Sequence, residues 1–207
     1  MNWKKNIKEA RTEVEGGTRL VLINFYRTDD EASMKMLNET LKDEKVTTLI
    51  EREAAPVLCN IAEAAGIAKE YRIDLTPTFV LADENGRELE RWVGYLPAKE
   101  FREQLILSKG LAAFHLERHS EAVREFEELI EEFPDSELKP EAEYFLGAAK
   151  FKLTGKTDDM IGIYHTLMIE HPESIWAKRC SIWARTEREF RPFVNYTGGG
   201  SAGSGFY

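Results

Sequence analysis

One series of residues occurs twice in the second half of this chain. Lys109-Gly110-Leu111-Ala112-Ala113-Phe114-His115-Leu116 precedes Glu121-Ala122-Val123-Arg124-Glu125-Phe126, and then Glu132-Phe133-Pro134-Asp135-Ser136. The series returns as Leu146-Gly147-Ala148-Ala149-Lys150-Phe151-Lys152-Leu153, then Asp159-Met160-Ile161-Gly162-Ile163-Tyr164, then Glu170-His171-Pro172-Glu173-Ser174. Gly110 and Gly147 stand 37 residues apart, and Pro134 and Pro172 stand 38 apart. That period belongs to stacked helix pairs, which bury their apolar faces against neighbouring pairs. The small residues let two helices approach closely, Phe126 fills the space between them, and the proline ends the second helix. Two pairs leave two open ends. The α/β segment before them is expected to cover one end. A helix from Ser174 to Phe190, carrying Ile175, Trp176, Cys180 and Trp183, is expected to cap the other.

The first half follows a different pattern. Trp3, Ile7, Ala10 and Val14 recur at helical spacing, which predicts a helix from Asn2 to Val14, stopped by Gly16-Gly17. Arg19 to Tyr26 is a nearly continuous apolar run of strand length, as expected of a strand covered on both faces. Met34, Leu37, Leu41, Val46, Leu49 and Ile50 supply helical faces. Ala55 to Asn60 is a second strand, and Ile61 to Tyr71 a helical connector. Thr78 to Ala82 and Glu88 to Val93 flank Asp83-Glu84-Asn85-Gly86, a hairpin turn. Pro97 sits where a helix tolerates proline, at its start. No breaker follows until Gly110, so this helix is expected to run straight into the first repeat, as a rod of about 20 residues and ~30 Å.

With these residues in place, the segment from Trp3 to Leu107 resembles the thioredoxin superfamily. The resemblance rests on Phe25-Tyr26 at the end of the central strand, Thr76-Pro77-Thr78 at the family's cis-proline position, the Asp83 to Glu88 hairpin, and Gly94-Tyr95-Leu96-Pro97 before the last helix. In the second half, Gly110, Ala122, Phe126 and Pro134 resemble the tetratricopeptide repeat (TPR) consensus. The second unit keeps Gly147, Tyr164 and Pro172 with about one extra residue. The expected architecture is an α/β thioredoxin-like domain over residues 1–107, an all-α TPR array of two helix pairs and a cap over 108–191, and a Gly/Ser-rich tail over 192–207.

The resemblance also locates an active site and shows what it has lost. The family's Trp-Cys-Gly-Pro-Cys falls on Asp29 to Ser33, so Asp30 stands for the attacking cysteine and Ser33 for the resolving one. Asn24 replaces the family's buried acid. Thiol–disulfide exchange needs a thiolate that attacks a disulfide sulfur. A carboxylate and a hydroxyl cannot form the mixed disulfide, so no redox catalysis is expected. The acids at 29–31 suit a helix N-terminus.

What remains is binding. The resemblance implies a peptide groove beside Thr76 and Pro77. It implies a second along the first helices of the TPR pairs, lined by Leu107, Leu111, Phe114 and His115, then Tyr144, Ala148, Phe151 and Lys152. A protein or peptide partner is the expectation, in an adaptor, an assembly subunit or a chaperone-like binder. Thioredoxin–TPR chaperones have a similar plan, some without a working redox pair. The alternatives are an oxidoreductase with unconventional chemistry and a homo-oligomeric structural protein. The stretch from Glu117 to Glu143 is strongly acidic and the stretch after it mildly basic, which fits self-association or a basic partner. A net charge of −9 argues against nucleic acid, and no apolar run has membrane-spanning length. His115 and His119 form no ligand spacing with His165 and His171, so no metal or other cofactor is expected. Cys59 and Cys180 are isolated, which fits a reducing, cytoplasmic setting.

Overall fold

A computed structural model describes residues 2–184. Four strands form one sheet in the order β2-β1-β3-β4: β1 (Leu20–Tyr26), β2 (Ala54–Asn60), β3 (Thr78–Ala82) and β4 (Glu88–Val93). β1 runs parallel to β2 and antiparallel to β3, and β4 is antiparallel to β3. Both faces of β1 are buried, as its unbroken apolar run predicts. Val21, Ile23 and Phe25 share one core with Ala10 and Val14 of α1 (Ile7–Val14). On the other face Leu20 and Leu22 join Phe79, Leu81 and Trp92 beneath α2 (Glu31–Asn38), α3 (Glu44–Glu53) and α5 (Ala98–His115). A 3-10 turn (Thr40–Lys42) separates α2 from α3, and Asp43 caps α3 by accepting from Lys45 N and Val46 N.

Two local expectations change. The first helix begins at Ile7, capped by Asn6, rather than at Asn2. Lys4 instead lies along β2, donating its N–H to Pro56 O and accepting from Leu58 N, both at 2.9 Å. Backbone pairing with a sheet edge outweighs the weak helical preference of five residues. The connector after β2 is a turn followed by a short α4 (Ala65–Glu70), not a helix from Ile61.

The remaining helices are α6 (His119–Glu132), α7 (Lys139–Thr154), α8 (Asp158–Glu170) and α9 (Ile175–Cys180). The expected cap from Ser174 starts as α9, with Ser174 as its N-cap, and its portion beyond Ala184 lies outside the described residues, as does the 192–207 tail. No helix among the described residues is long and apolar enough to cross a membrane.

α5 holds the two halves together. It is one unbroken helix, and every residue from Leu105 to Ala113 is buried. A helix without a polar face must be enclosed on all sides. Phe101 packs edge-on against Phe79 and Trp92 of the sheet, while Leu111, Ala112 and Ala113 pack with Phe126, Ala142 and Leu146 in the same continuous core. That core runs across residue 107, the expected domain boundary, without interruption.

Within the first helix pair, a Cβ on Gly110 would lie 2.6 Å from Phe126 Cε1. In the second pair a Cβ on Gly147 would lie 2.7 Å from Ile163 Cγ1. Ile163, 16 residues after Gly147 as Phe126 is after Gly110, therefore takes the place of Phe126, where Tyr164 was expected from its distance to Pro172. The extra residue of this unit falls between Ile163 and Pro172.

A buried polar cluster crosses the same junction. The Lys109 ammonium pairs with Glu53 of α3, with Glu125 of α6 at 3.0 Å, and with Glu121 at 3.7 Å. Arg52 extends the network by pairing with Glu53 and Glu128. Burial is the main influence on Glu125, and it pushes the carboxyl up to about 7 against the pull of Lys109.

Lys109→Met leaves buried carboxylates without their cation and should cost about 3–5 kcal/mol in chemical denaturation. Gly110→Ala should cost about 1–3 kcal/mol because Phe126 must move. Gly162→Ala, in an exposed and sterically open turn of α8, should instead stabilise by about 0.5–1 kcal/mol.

Candidate functional site

β1 ends at Tyr26, and the chain turns through Arg27 to Asp30 into α2. Arg27 pairs with Asp29, donating from Nε at 2.8 Å. Both side chains are largely exposed, so the pair orders the turn more than it stabilises it. Asp30 is the N-cap of α2. Its Oδ2 accepts from Ser33 N at 3.0 Å, from the Ser33 hydroxyl at 2.5 Å and from the Thr76 hydroxyl at 3.0 Å. The Ser33 hydrogen bond is the largest influence on the Asp30 carboxyl, holding it below the usual range, with burial opposing and Thr76 adding to the effect. Ser33 is fully buried, and its Oγ also accepts from Arg27 N at 3.4 Å.

The structure thus brings Asp30, Ser33 and Thr76 into one hydrogen-bonded network, with Pro77 next in sequence behind a cis Thr76-Pro77 bond. Asn24 lies on β1 opposite Phe79, on the sheet face that also carries Leu20 and Leu22. It is fully buried, and neither its Oδ1 nor its Nδ2 has a hydrogen-bond partner.

The sulfur atoms are elsewhere. Cys59 is buried on β2 beside Phe25, and Cys180 is buried in α9 with its Sγ 3.8 Å from Met160 O. Burial pushes each thiol up to about 11, so neither carries thiolate near neutral pH.

The loop before β3 presents apolar surface that the motif alignment did not single out. Leu75 is 66% exposed and Val93 51% exposed. Val93 pairs with Thr78, Gly94 N donates to Pro77 O at 2.8 Å, and the Thr78 hydroxyl donates to Leu75 O at 2.7 Å. Leu75 and Val93 are thus exposed on strand and loop backbone that both pair with Thr78, while Pro77, a candidate for peptide contact, is itself buried beside them. The sequence signal for Leu75 was available, because it immediately precedes Thr76-Pro77 in a polar loop.

The candidates on the helical array separate. Leu111 is buried in the core. Phe114 packs edge-on against Phe145 at 5.5 Å, and His115 Nδ1 lies 3.1 Å from Glu90 of β4. Burial, then Glu141 and Glu88, push the Glu90 carboxyl up to about 7. Tyr144 packs on Trp176 at 5.1 Å, and Phe151 on Trp183 at 5.6 Å. Ala148 is half-buried against the same small core, and Lys152 is exposed. The aromatic candidates are thus largely spent on holding α7 to α9. Glu90 had no local sequence signal, since its neighbour His115 comes from a different element.

Residues 7–107 match the family model described as a thioredoxin-like domain, and residues 105–136 match the tetratricopeptide repeat model. The chain carries a thioredoxin-like domain followed by a TPR repeat. The two matches meet inside α5, the helix that the two halves share. Among solved structures, a thioredoxin from Thermus thermophilus is 24% identical, covering 53% of this chain and 90% of that one, with a TM-score of 0.45. The oxidised C-terminal domain of Neisseria meningitidis DsbD is 18% identical, covering 50% and 97%, with a TM-score of 0.44. DsbH oxidoreductase is 14% identical, covering 53% and 84%, with a TM-score of 0.46. No curated protein matches the chain.

In this thioredoxin-like domain Asp30 works as a helix cap. Asp30→Ala removes three accepted hydrogen bonds and should lower stability by about 1–2 kcal/mol at neutral pH. Because the folded carboxyl is depressed, that contribution is present above the ordinary aspartate range and is lost as pH falls through the folded value. The gap between wild type and variant in thermal melts should therefore close in acid.

Proposed function

We propose that this protein binds polypeptide without redox turnover, as an adaptor or assembly subunit, with client holding as one concrete form. The observation that carries this reading is the Asp30–Ser33–Thr76 network beside an exposed apolar border of Leu75 and Val93. A hydrogen-bonded carboxylate and hydroxyl occupy the positions where exchange chemistry requires sulfur, while the adjoining cis-proline loop keeps a surface suited to an extended segment. TPR repeats generally mediate protein–protein interaction. Two buried, unpaired cysteines favour a reducing compartment such as the cytoplasm.

In an insulin-reduction assay the protein should stay at the background rate. Activity abolished by Asp30→Ala but untouched by Cys59→Ala would overturn the non-redox reading. In a light-scattering assay the protein should suppress client aggregation at stoichiometric amounts. Leu75→Asp with Val93→Asp should weaken that effect about tenfold or more, since each apolar side chain buried by a client contributes about 1.5–3 kcal/mol. A wild type without suppression would remove client holding and leave the assembly role.

A further inference from the structure

α7 and the end of α8 bring together three side chains of metal-ligating type, the neighbours Glu170 and His171 and, 27 residues earlier, Glu143. Glu143 lies in the second turn of α7, Glu170 is the last residue of α8, and His171 is that helix's C-cap. One donor atom from each lies within 4.8 Å of the other two. Glu143 is only 4% exposed. Its Oε1 faces the Lys139 ammonium at 3.6 Å, while its Oε2 is buried with no hydrogen-bond partner. The Nε2 of His171 is also buried without a hydrogen-bond partner, 4.0 Å from Glu170 Oε2. Two unsatisfied donors, one a carboxylate oxygen and one an imidazole nitrogen, are therefore turned inward beside Glu170.

We propose that Glu143, Glu170 and His171 form a three-ligand site for a divalent cation of the zinc class. The donor set selects the class. Imidazole nitrogen favours zinc, cobalt, nickel or copper over magnesium, and three ligands fall well short of the six to eight oxygens that calcium takes. Zinc–nitrogen and zinc–oxygen bonds of about 2.0–2.2 Å in tetrahedral array place ligand atoms roughly 3.3 Å apart. Binding therefore requires the three donors to close by no more than about 1.5 Å. Glu170 is 46% exposed on its side chain, so solvent reaches the site and can provide a fourth ligand. The site lies at a helix C-terminus, where the macrodipole favours a cation and opposes the carboxylate of Glu170.

Lys139 is the resident cation, 2.7 Å from Glu170 Oε2. It competes for the outer oxygens and leaves the inward Oε2 of Glu143 free. Metal uptake exchanges part of this ammonium pairing for a tighter clamp between the two helices of the second pair. The inference stands apart from polypeptide binding at the cis-proline loop.

The test is calorimetric titration of the full chain with zinc chloride, with magnesium chloride as control and cobalt absorption as a report of coordination. One equivalent of zinc should bind, magnesium should not compete, and cobalt should give the intense visible bands of a four-coordinate site. His171→Gln and Glu143→Gln should each weaken zinc binding by at least ~10–100-fold, the loss that even outer-shell changes produce. Lys139→Gln should tighten it, because the competing charge is gone. Circular dichroism establishes that each variant is folded, and His171→Gln alters a half-buried residue should Glu143→Gln fail to fold. Equal zinc uptake by wild type and His171→Gln, or no tightening in Lys139→Gln, would overturn the proposal and leave an ordinary ion-pair cluster.

Discussion

A stretch of helix with no solvent-facing side can exist only where something covers every side of it, and Leu105 to Ala113 of α5 meet that condition by serving two cores. Its first turns complete the sheet through Phe101, and its last turns complete the first helix pair through the contact of Gly110 with Phe126. Neither half has a finished core without it. The single long-stemmed cation in its middle, Lys109, is tolerated because carboxylates from α3 and α6 converge on it. Buried ion pairs of this kind add little net stability, but they penalise any other docking of the array on the α/β layer. We regard the cluster as a device that fixes one arrangement.

The degenerate site has its own internal logic. With the nucleophile position occupied by Asp30, a charge is placed at the start of a helix, where the macrodipole and three hydrogen-bond donors favour it. Ser33 keeps a small buried hydroxyl where a thiol would fit and turns it toward that charge. Thr76 ties the cis-proline loop to the same carboxylate. These three residues together hold the loop in place, and the exposed Leu75 sits on that loop.

Much of this was legible in the residues themselves. The apolar run of β1 announced a doubly covered strand. Asp83 and Gly86 announced a tight turn, which the structure builds with Asp83 Oδ1 accepting from Asn85 N and Arg87 N at 2.9 Å and with Gly86 at a φ of 80°. Glycine and proline spacing marked the helix pairs. The features that sequence did not disclose are those made by distant elements. Lys4 pairs with β2, Lys109 meets Glu53, and Glu143 meets His171 only because tertiary packing places them together. Tyr164 matches the consensus only when counted back from Pro172, across the inserted residue, whereas the packing against Gly147 selects Ile163, the side chain that faces it.

The pairing of Lys4 with β2 has a bearing on association. Pro56 offers no N–H on that strand, and Lys4 already takes its carbonyl and the Leu58 N–H, so this flank is blocked in mid-strand. β4 forms the opposite flank and, among the described residues, pairs through its β3 side alone. Sheet growth is thus one-sided. Two copies joined along that flank would be related by a dyad and would have no second edge to offer, so such an assembly closes at a dimer and cannot propagate into a fibre.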